Sequence, residues 1–142
     1  MDLVGYYVRY LAIYLMFGLT MAVSSIEKLT DPVPRWFSDQ FGGTFVADVP
    51  GLDLAWRLTG ALEAVVPLVL LVSLVTLETL PKRRKSWLKL GLGVAALTFA
   101  VLAVGRSITS ELDGAAGLFL YFGAAVGALL LVIFDESTYR EP

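Results

Sequence analysis

Glu63 is the residue best placed to do chemistry, because it is a carboxylate inside a long apolar segment. It lies about two helical turns beyond the start of an apolar stretch that runs from about residue 54 to 80. An ionisable side chain at that depth is costly in lipid unless it is paired or faces a polar cavity. Two interpretations follow. Glu63 either forms a structural ion pair with Arg106, Lys28 or Arg57, which is the interpretation we favour, or lines a pocket that binds a quinone head group or relays a proton.

Polar residues from every apolar segment fall at the level of Glu63. They end the first and third segments, begin the second and fourth, and include two hydroxyl groups. With one aromatic residue of the first loop, the candidate cofactor-binding pocket comprises Ser24, Ser25, Lys28, Trp36, Arg57, Glu63 and Arg106. If Glu63 is unpaired there, desolvation should raise its pKa and favour the pocket interpretation.

Two residue types are absent from the sequence, and their absence limits its chemistry. The chain has no cysteine and no histidine. It therefore lacks the usual ligands of haem, iron–sulfur clusters and transition metals, so we expect no haem or metal. Any redox role would have to use a cofactor that is held without cysteine or histidine, such as a quinone. No nucleophile–base pair is visible, which predicts that the chain is not catalytic on its own. A net charge of −2 with few basic residues argues against nucleic-acid binding.

The elements that position these residues are four hydrophobic helices. A mean hydropathy of +0.74 and 57% hydrophobic residues exceed what a soluble domain of this size can bury. About 20 apolar residues cross a bilayer. The sequence predicts an all-α, integral membrane four-helix bundle as one domain over residues 1–142, with spans at about 7–26, 54–80, 87–105 and 115–134. The alternative for the first span is a cleaved signal peptide ending near Ala22-Val23-Ser24, which the absence of an early basic cluster disfavours.

The orientation follows from the loop between the second and third spans. Its sequence is Pro81-Lys82-Arg83-Arg84-Lys85-Ser86, and basic residues in a short loop hold that loop in the cytoplasm. Both termini should then be cytoplasmic and the protein multi-pass in the plasma membrane. The acidic first loop should face outward.

The outer loop contains the pattern of a short helix. Asp31 is placed to cap it, Pro32 suits its first turn and Gly42-Gly43 ends it. One face is apolar, formed by Val33, Trp36, Phe37 and Phe41. We expect this helix to lie in the membrane interface as an anchor, with a lid over a lipid-soluble ligand as the alternative.

Small residues recur in every span and predict close helix packing. The fourth span carries Gly123-xxx-Gly127, which either packs within the monomer or forms a homo-oligomer contact. Pro67 should kink the second span. Glu78 is four residues from Lys82 and should pair with it, and Arg9 should reach the interface as an anchor.

Three local patterns resemble the DoxX-like family of small four-helix membrane proteins. The first extends from Gly18 to Ser24-Ser25-Ile26-Glu27-Lys28-Leu29 and is similar to the family's glycine and terminal Lys-Leu pattern. The second is the loop with Pro34 and Trp36-Phe37. The third is Gly60-Ala61-Leu62-Glu63, similar to a Gly-x-x-Glu start of an apolar helix. The short basic turn also fits.

The resemblance implies an accessory subunit of a membrane oxidoreductase, which in some members contributes to a quinone-reducing enzyme. It implies other membrane subunits as partners, besides the lipid bilayer, and makes Lys28 and Glu63 the positions that match family motif residues. The alternative function is a small oligomeric transporter or channel, for which Glu63, Pro67 and the glycines of the fourth span are the supporting features. The lack of a visible inverted repeat weakens it.

Overall fold

The chain is all-helical in the computed structural model, which describes residues 3–138. The elements in chain order are α1 (Leu3–Thr30), α2 (Arg35–Phe41), α3 (Phe45–Asp48), α4 (Leu52–Val75), α5 (Ser86–Ile108) and α6 (Leu112–Thr138). No strand occurs among these residues.

Helices α1, α4, α5 and α6 are each long and apolar enough to cross a membrane. They contain 28, 24, 23 and 27 residues, against the roughly 20 that a span needs. Their surfaces agree with this, because only 11% of the apolar stretch of α6 and at most 39% of any other is buried within the chain. The helices therefore indicate a multi-pass membrane protein.

The end of helix α4 differs from the sequence prediction. The second span was predicted to reach about residue 80, but α4 ends at Val75 and the chain turns through Leu77, whose φ is 57°. The remaining residues of that apolar stretch form a connection to α5. The other three long helices are longer than predicted, and α4 continues through Pro67 as a single helix.

One turn of α1 is wider than an α-helical turn. Residues Tyr14–Leu19 form a π-helical segment in the middle of the helix. Tyr10 is buried before it and Phe17 and Met21 are buried within and after it. The π-helical segment thus keeps large side chains of α1 directed to the core along the length of the helix. Segments of this kind are frequent at functional sites.

The main core lies between the four long helices. Helix α4 packs between α1 and α5, and α6 packs chiefly on α5. The largest buried apolar side chains of this core are Tyr6, Tyr10, Phe17, Leu70, Leu88 and Leu92. Short connections between α4 and α5, and between α5 and α6, make these helices antiparallel neighbours.

A second, smaller core joins the first loop to α4. Phe37 and Phe41 of α2 pack against Trp56 of α4. The predicted loop helix is therefore present and ends before Gly42, as expected. Its predicted start was wrong, because Pro34 occupies the N-cap position and Asp31 is instead the C-cap residue of α1.

The two ends of the bundle carry opposite charge. We call residues 27–63 and 105–114 the acidic end, because eight carboxylates and four cations lie there. We call residues 3–15, 70–92 and 128–138 the basic end, which has six cations and three carboxylates within the part of the chain described.

Candidate ligand-binding cavity

An ion pair between α1 and α4 forms the centre of the candidate site. Lys28 Nζ lies 3.0 Å from Glu63 Oε2, and Glu63 is only 4% exposed. Lys28 also donates a hydrogen bond to Ser24 Oγ at 2.5 Å, one turn earlier in α1. Of the three partners considered for Glu63, Lys28 is the one that the fold supplies.

Gly60 allows α1 and α4 to approach closely enough for this pair. A Cβ atom at Gly60 would lie 2.7 Å from Lys28 Cβ and 3.3 Å from Leu29 Cγ. No side chain fits there, so the two helices touch through the glycine. Glu63 follows Gly60 by three residues and so lies on the same face of α4.

One aromatic ring, that of Trp56, lies over the ammonium group of Lys28. Its Nζ lies 5.2 Å from the centre of the Trp56 ring, within the range of a cation–π contact. Trp36 and Phe37 pack edge-to-face on Trp56, with ring centres 5.6 and 5.1 Å away. The loop helix α2 thus packs two aromatic side chains on the ring that contacts Lys28.

A cavity of about 410 Å³ opens beside the ion pair, between α1, α2, α4, α5 and α6. Its volume is within the range of small-molecule sites, and its walls are mainly apolar with a few polar groups. The polar and aromatic residues that line it include Lys28, Trp36, Trp56, Thr59, Glu63 and Arg106.

Trp56 offers a hydrogen-bond donor without a partner. Its Nε1 is buried and makes no hydrogen bond within residues 3–138, although the residue lines the cavity. Buried indole N–H groups usually donate to an acceptor, so a ligand with an acceptor atom could accept a hydrogen bond from Trp56.

Arg106 connects the loop helix to the turn between α5 and α6. Its guanidinium lies 5.4 Å from the Trp36 ring centre, and it forms an ion pair with Glu111. Gln40 of α2 donates hydrogen bonds to Thr109 Oγ1 at 2.8 Å and to Glu111 Oε2 at 3.1 Å. These contacts hold α2 over the cavity.

Four of the seven predicted pocket residues line this cavity, namely Lys28, Trp36, Glu63 and Arg106. Ser24 supports it indirectly through its hydrogen bond with Lys28. Ser25 is buried but donates to the Ala22 carbonyl oxygen at 2.9 Å. Arg57 lies outside: its side chain is 46% exposed and bonds Asp53.

A second polar cluster, at the basic end, was not predicted from the sequence. Glu78 does not pair with Lys82. Its carboxylate accepts hydrogen bonds from the N–H groups of Trp87 at 3.1 Å and Leu88 at 2.8 Å, and from Ser73 Oγ at 2.8 Å. Glu78 therefore caps the start of α5, because the chain turns after Val75 and brings the carboxylate under the free N–H groups of that helix.

Lys85 is completely buried beside Glu78. Its Nζ lies 5.4 Å from the Tyr10 ring centre and 5.8 Å from that of Tyr6, and it donates to the carbonyl oxygens of Arg83 at 3.3 Å and Leu80 at 3.5 Å. Burial lowers the pKa of the Lys85 ammonium, while neighbouring carboxylates oppose this shift. The sequence placed this lysine in the basic loop between the second and third spans and did not predict its burial.

The carboxylates of α6 complete the basic-end cluster. Asp135 Oδ1 lies 3.7 Å from Arg9 Nη1, and Asp135 Oδ2 accepts a hydrogen bond from Tyr10 at 3.4 Å. Glu136 pairs with Lys89 at 2.6 Å. The signal in the sequence was the position of two acids after an uninterrupted apolar helix, at the same level as the basic loop.

No group of His, Cys, Asp and Glu side chains within residues 3–138 is arranged to hold a metal ion. No family model matches the sequence, and comparisons with curated proteins and with solved structures also found no match.

Proposed function

We propose that this protein is an accessory subunit of a membrane oxidoreductase, of the DoxX-like kind, and that its cavity binds the head group of a quinone. The observation that carries the proposal is the cavity itself. Aromatic side chains of α2, a buried Lys28–Glu63 ion pair and the N–H group of Trp56 meet there between the four long apolar helices.

The chemistry of a quinone fits these groups. A quinone is a flat ring with two carbonyl acceptors and an apolar tail. Lys28 has three N–H donors, of which Ser24 and Glu63 use two, so one is available to a carbonyl oxygen. The N–H group of Trp56 supplies a second donor.

Electrons have to come from another subunit under this proposal. The sequence has no cysteine and no histidine to hold a redox centre of the common kinds. The role of this chain is to bind and orient the head group, with Glu63 holding the Lys28 ammonium group beside a carbonyl oxygen.

The orientation proposed from the sequence is both termini in the cytoplasm of a plasma-membrane protein. The distribution of charge supports it, because the basic end has three more cations than carboxylates and the acidic end has four more carboxylates than cations. The cavity and the loop helix α2 then face the outer interface.

The competing function is a small oligomeric transporter or channel. The observation that favours it is that a Cβ at Gly123 or Gly127 would meet no atom within 4 Å among residues 3–138, which leaves a smooth surface for a second copy. Against it, the cavity at the acidic end and the groove at the basic end have no lining residue in common.

Tryptophan fluorescence tests quinone binding. Trp36 and Trp56 line the cavity and Trp87 lies at the far end, so a Trp87→Phe background isolates the signal. In phosphatidylcholine nanodiscs, a short-chain quinone should quench this signal saturably. Lys28→Met should weaken binding by about tenfold, through loss of a charged donor.

Two further variants give a second test of the cavity and a control outside it. Ala55→Leu narrows the cavity without touching the ion pair and should also weaken binding. Asp53→Asn breaks the exposed pair with Arg57, 3.1 Å apart and outside the cavity, and should leave binding unchanged. Linear, unsaturable quenching, or equal affinity in all variants, would rule out the quinone site.

A further inference from the structure

Three cations of the basic end have no carboxylate partner among the residues that the structure describes. Three of its six cations lie beside an equal number of carboxylates in the cluster formed by Arg9, Glu78, Lys85, Lys89, Asp135 and Glu136. The other three are consecutive in the loop between α4 and α5. Lys82, Arg83 and Arg84 are exposed, and none of their side chains forms an ion pair within residues 3–138.

An apolar groove begins next to these cations. It has a volume of about 620 Å³ and runs between α1 and the end of α4. Exposed side chains spaced along one face of α1 form one wall, and the groove is lined by Tyr7, Val8, Leu11, Leu15, Leu74 and Thr79. Tyr10 and Tyr14 also line it, and Tyr14 shares a hydrogen bond with Ser73 at 2.8 Å.

The groove and the cations are close to each other. Thr79, which lines the groove, is three residues before Lys82. Three residues of fully extended chain span at most about 11 Å, so the groove opens within that distance of the first cation. A molecule with a negative head and an apolar chain can therefore contact both.

The backbone of the loop between α4 and α5 is strained at Lys82. Lys82 has a φ of 68°, in the left-handed region that favours glycine. A lysine at this position keeps a charge where glycine would be easier to accommodate, and strain of this kind is often found at binding sites.

We propose that this surface binds one anionic phospholipid, with its phosphate on Lys82, Arg83 and Arg84 and an acyl chain in the groove. Charge complementarity points to an anionic head group, because ammonium and guanidinium groups at the edge of a bilayer attract anionic lipids. The apolar groove points to a lipid rather than a free phosphate, which has no apolar part to bury.

Native mass spectrometry of the full chain in mild detergent tests this proposal with phosphatidylglycerol and phosphatidylcholine as probes. One phosphatidylglycerol should be retained, with at least about tenfold preference over phosphatidylcholine. The triple variant Lys82→Gly, Arg83→Gln and Arg84→Gln should lose that preference. Glycine suits the backbone at residue 82, so the turn should be kept.

Matched variants separate the two parts of the site. Leu11→Trp fills the groove without changing any charge and should reduce retention of phosphatidylglycerol several-fold. Arg35→Gln with Arg57→Gln removes two exposed cations from the acidic end and should change nothing.

Three results would overturn the proposal. The first is equal retention of the two lipids by the unaltered protein. The second is unchanged preference in the triple variant, with helical content preserved by circular dichroism. The third is displacement of phosphatidylglycerol by inorganic phosphate at equal concentration, which would assign the cations to a free anion instead.

Discussion

At the scale of single residues, Lys28 forms with Glu63 the structural ion pair that we favoured from the sequence, and quinone binding beside it stays a prediction. The two charged groups lie 3.0 Å apart, and both residues line a cavity. The energetics of the pair can be measured independently of any ligand.

Lys28→Met should destabilise the protein more than the double variant Lys28→Met with Glu63→Gln. The single change leaves a buried carboxylate without its cation, which typically costs about 3–5 kcal/mol, whereas the second change removes that charge. Unfolding in mixed detergent micelles, followed by circular dichroism, measures the difference.

Arg57→Gln is the control for this double-mutant cycle. Its pair with Asp53 is exposed, so the loss should be below about 1 kcal/mol. If the effects of Lys28→Met and Glu63→Gln simply add, the two groups are not coupled and the ion-pair account is wrong.

Lys85 should make stability depend on pH. Burial lowers its pKa from the ordinary value of 10.5, so the folded protein binds fewer protons than the unfolded chain between the two pKa values. Stability should therefore rise with pH across that window and be lowest below the folded pKa. Unfolding measured across this alkaline range should show the rise.

Lys85→Met should remove this alkaline rise, since no proton is then released at that position. Lys82→Met is the matched control, because Lys82 is exposed in the same loop and should leave the slope as it is. A slope that survives in Lys85→Met would show that other groups cause it.

The sequence identified Glu63 as the important acid but left three partners open. The choice depends on the contact of α1 with α4 at Gly60, which no local pattern specifies. Sequence reasoning also did not predict that Lys85 is buried or that Glu78 caps α5, because the surroundings of both residues depend on the turn after Val75. Burial of a lysine in a basic run is decided by tertiary structure.

At the scale of elements, the glycines of the long helices have two different roles. A Cβ at Gly60 would meet Lys28 Cβ at 2.7 Å, while a Cβ at Gly123 would meet nothing within 4 Å. Gly60→Ala should therefore destabilise the protein by forcing α1 and α4 apart. Gly123→Ala should be neutral or stabilising by up to about 1 kcal/mol, through helix propensity.

Parallel unfolding of the two alanine variants tests this contrast. Gly60→Ala should also weaken the Lys28–Glu63 contact, so that adding Glu63→Gln costs less in that background than in the unaltered protein. Equal stability of Gly60→Ala and Gly123→Ala would show that α1 and α4 do not pack through Gly60.

The sequence predicted the existence and order of the elements well. Hydrophobic length identified the four long helices, and the apolar face of α2 identified the loop helix. It failed at two boundaries, the start of α2 and the end of α4, because Asp31 ends α1 instead and Leu77 turns the chain. Both boundaries depend on how neighbouring helices pack in the folded protein.

At the scale of the whole molecule, the separation of charge predicts the orientation in the membrane. The chain has no cysteine, so single cysteines can be introduced without background. Ser86→Cys lies at the basic end and Asp39→Cys at the acidic end, and both positions are exposed. A membrane-impermeant maleimide added to intact cells should label Asp39→Cys alone.

Labelling of Ser86→Cys from outside would contradict this orientation. Permeabilised cells provide the control, since both variants should then react. Neither position carries one of the loop cations, so the charges that set the orientation stay in place.

The surface of α6 is where a partner subunit would bind. Only 11% of its apolar stretch is buried, and Gly123 and Gly127 are exposed on it. Small residues on an unused face allow close approach of another helix, from a second copy or from a different subunit. The composition of the purified complex distinguishes these two partners.

Mass spectrometry of the proteins that co-purify with the tagged chain in mild detergent tests the central claim most directly. The subunit account predicts stoichiometric recovery with a dehydrogenase or oxidase. Gly123→Leu with Gly127→Leu should reduce that recovery if α6 is the contact. Recovery of the chain alone, or only as a homo-oligomer, would contradict the account and favour the transporter or channel.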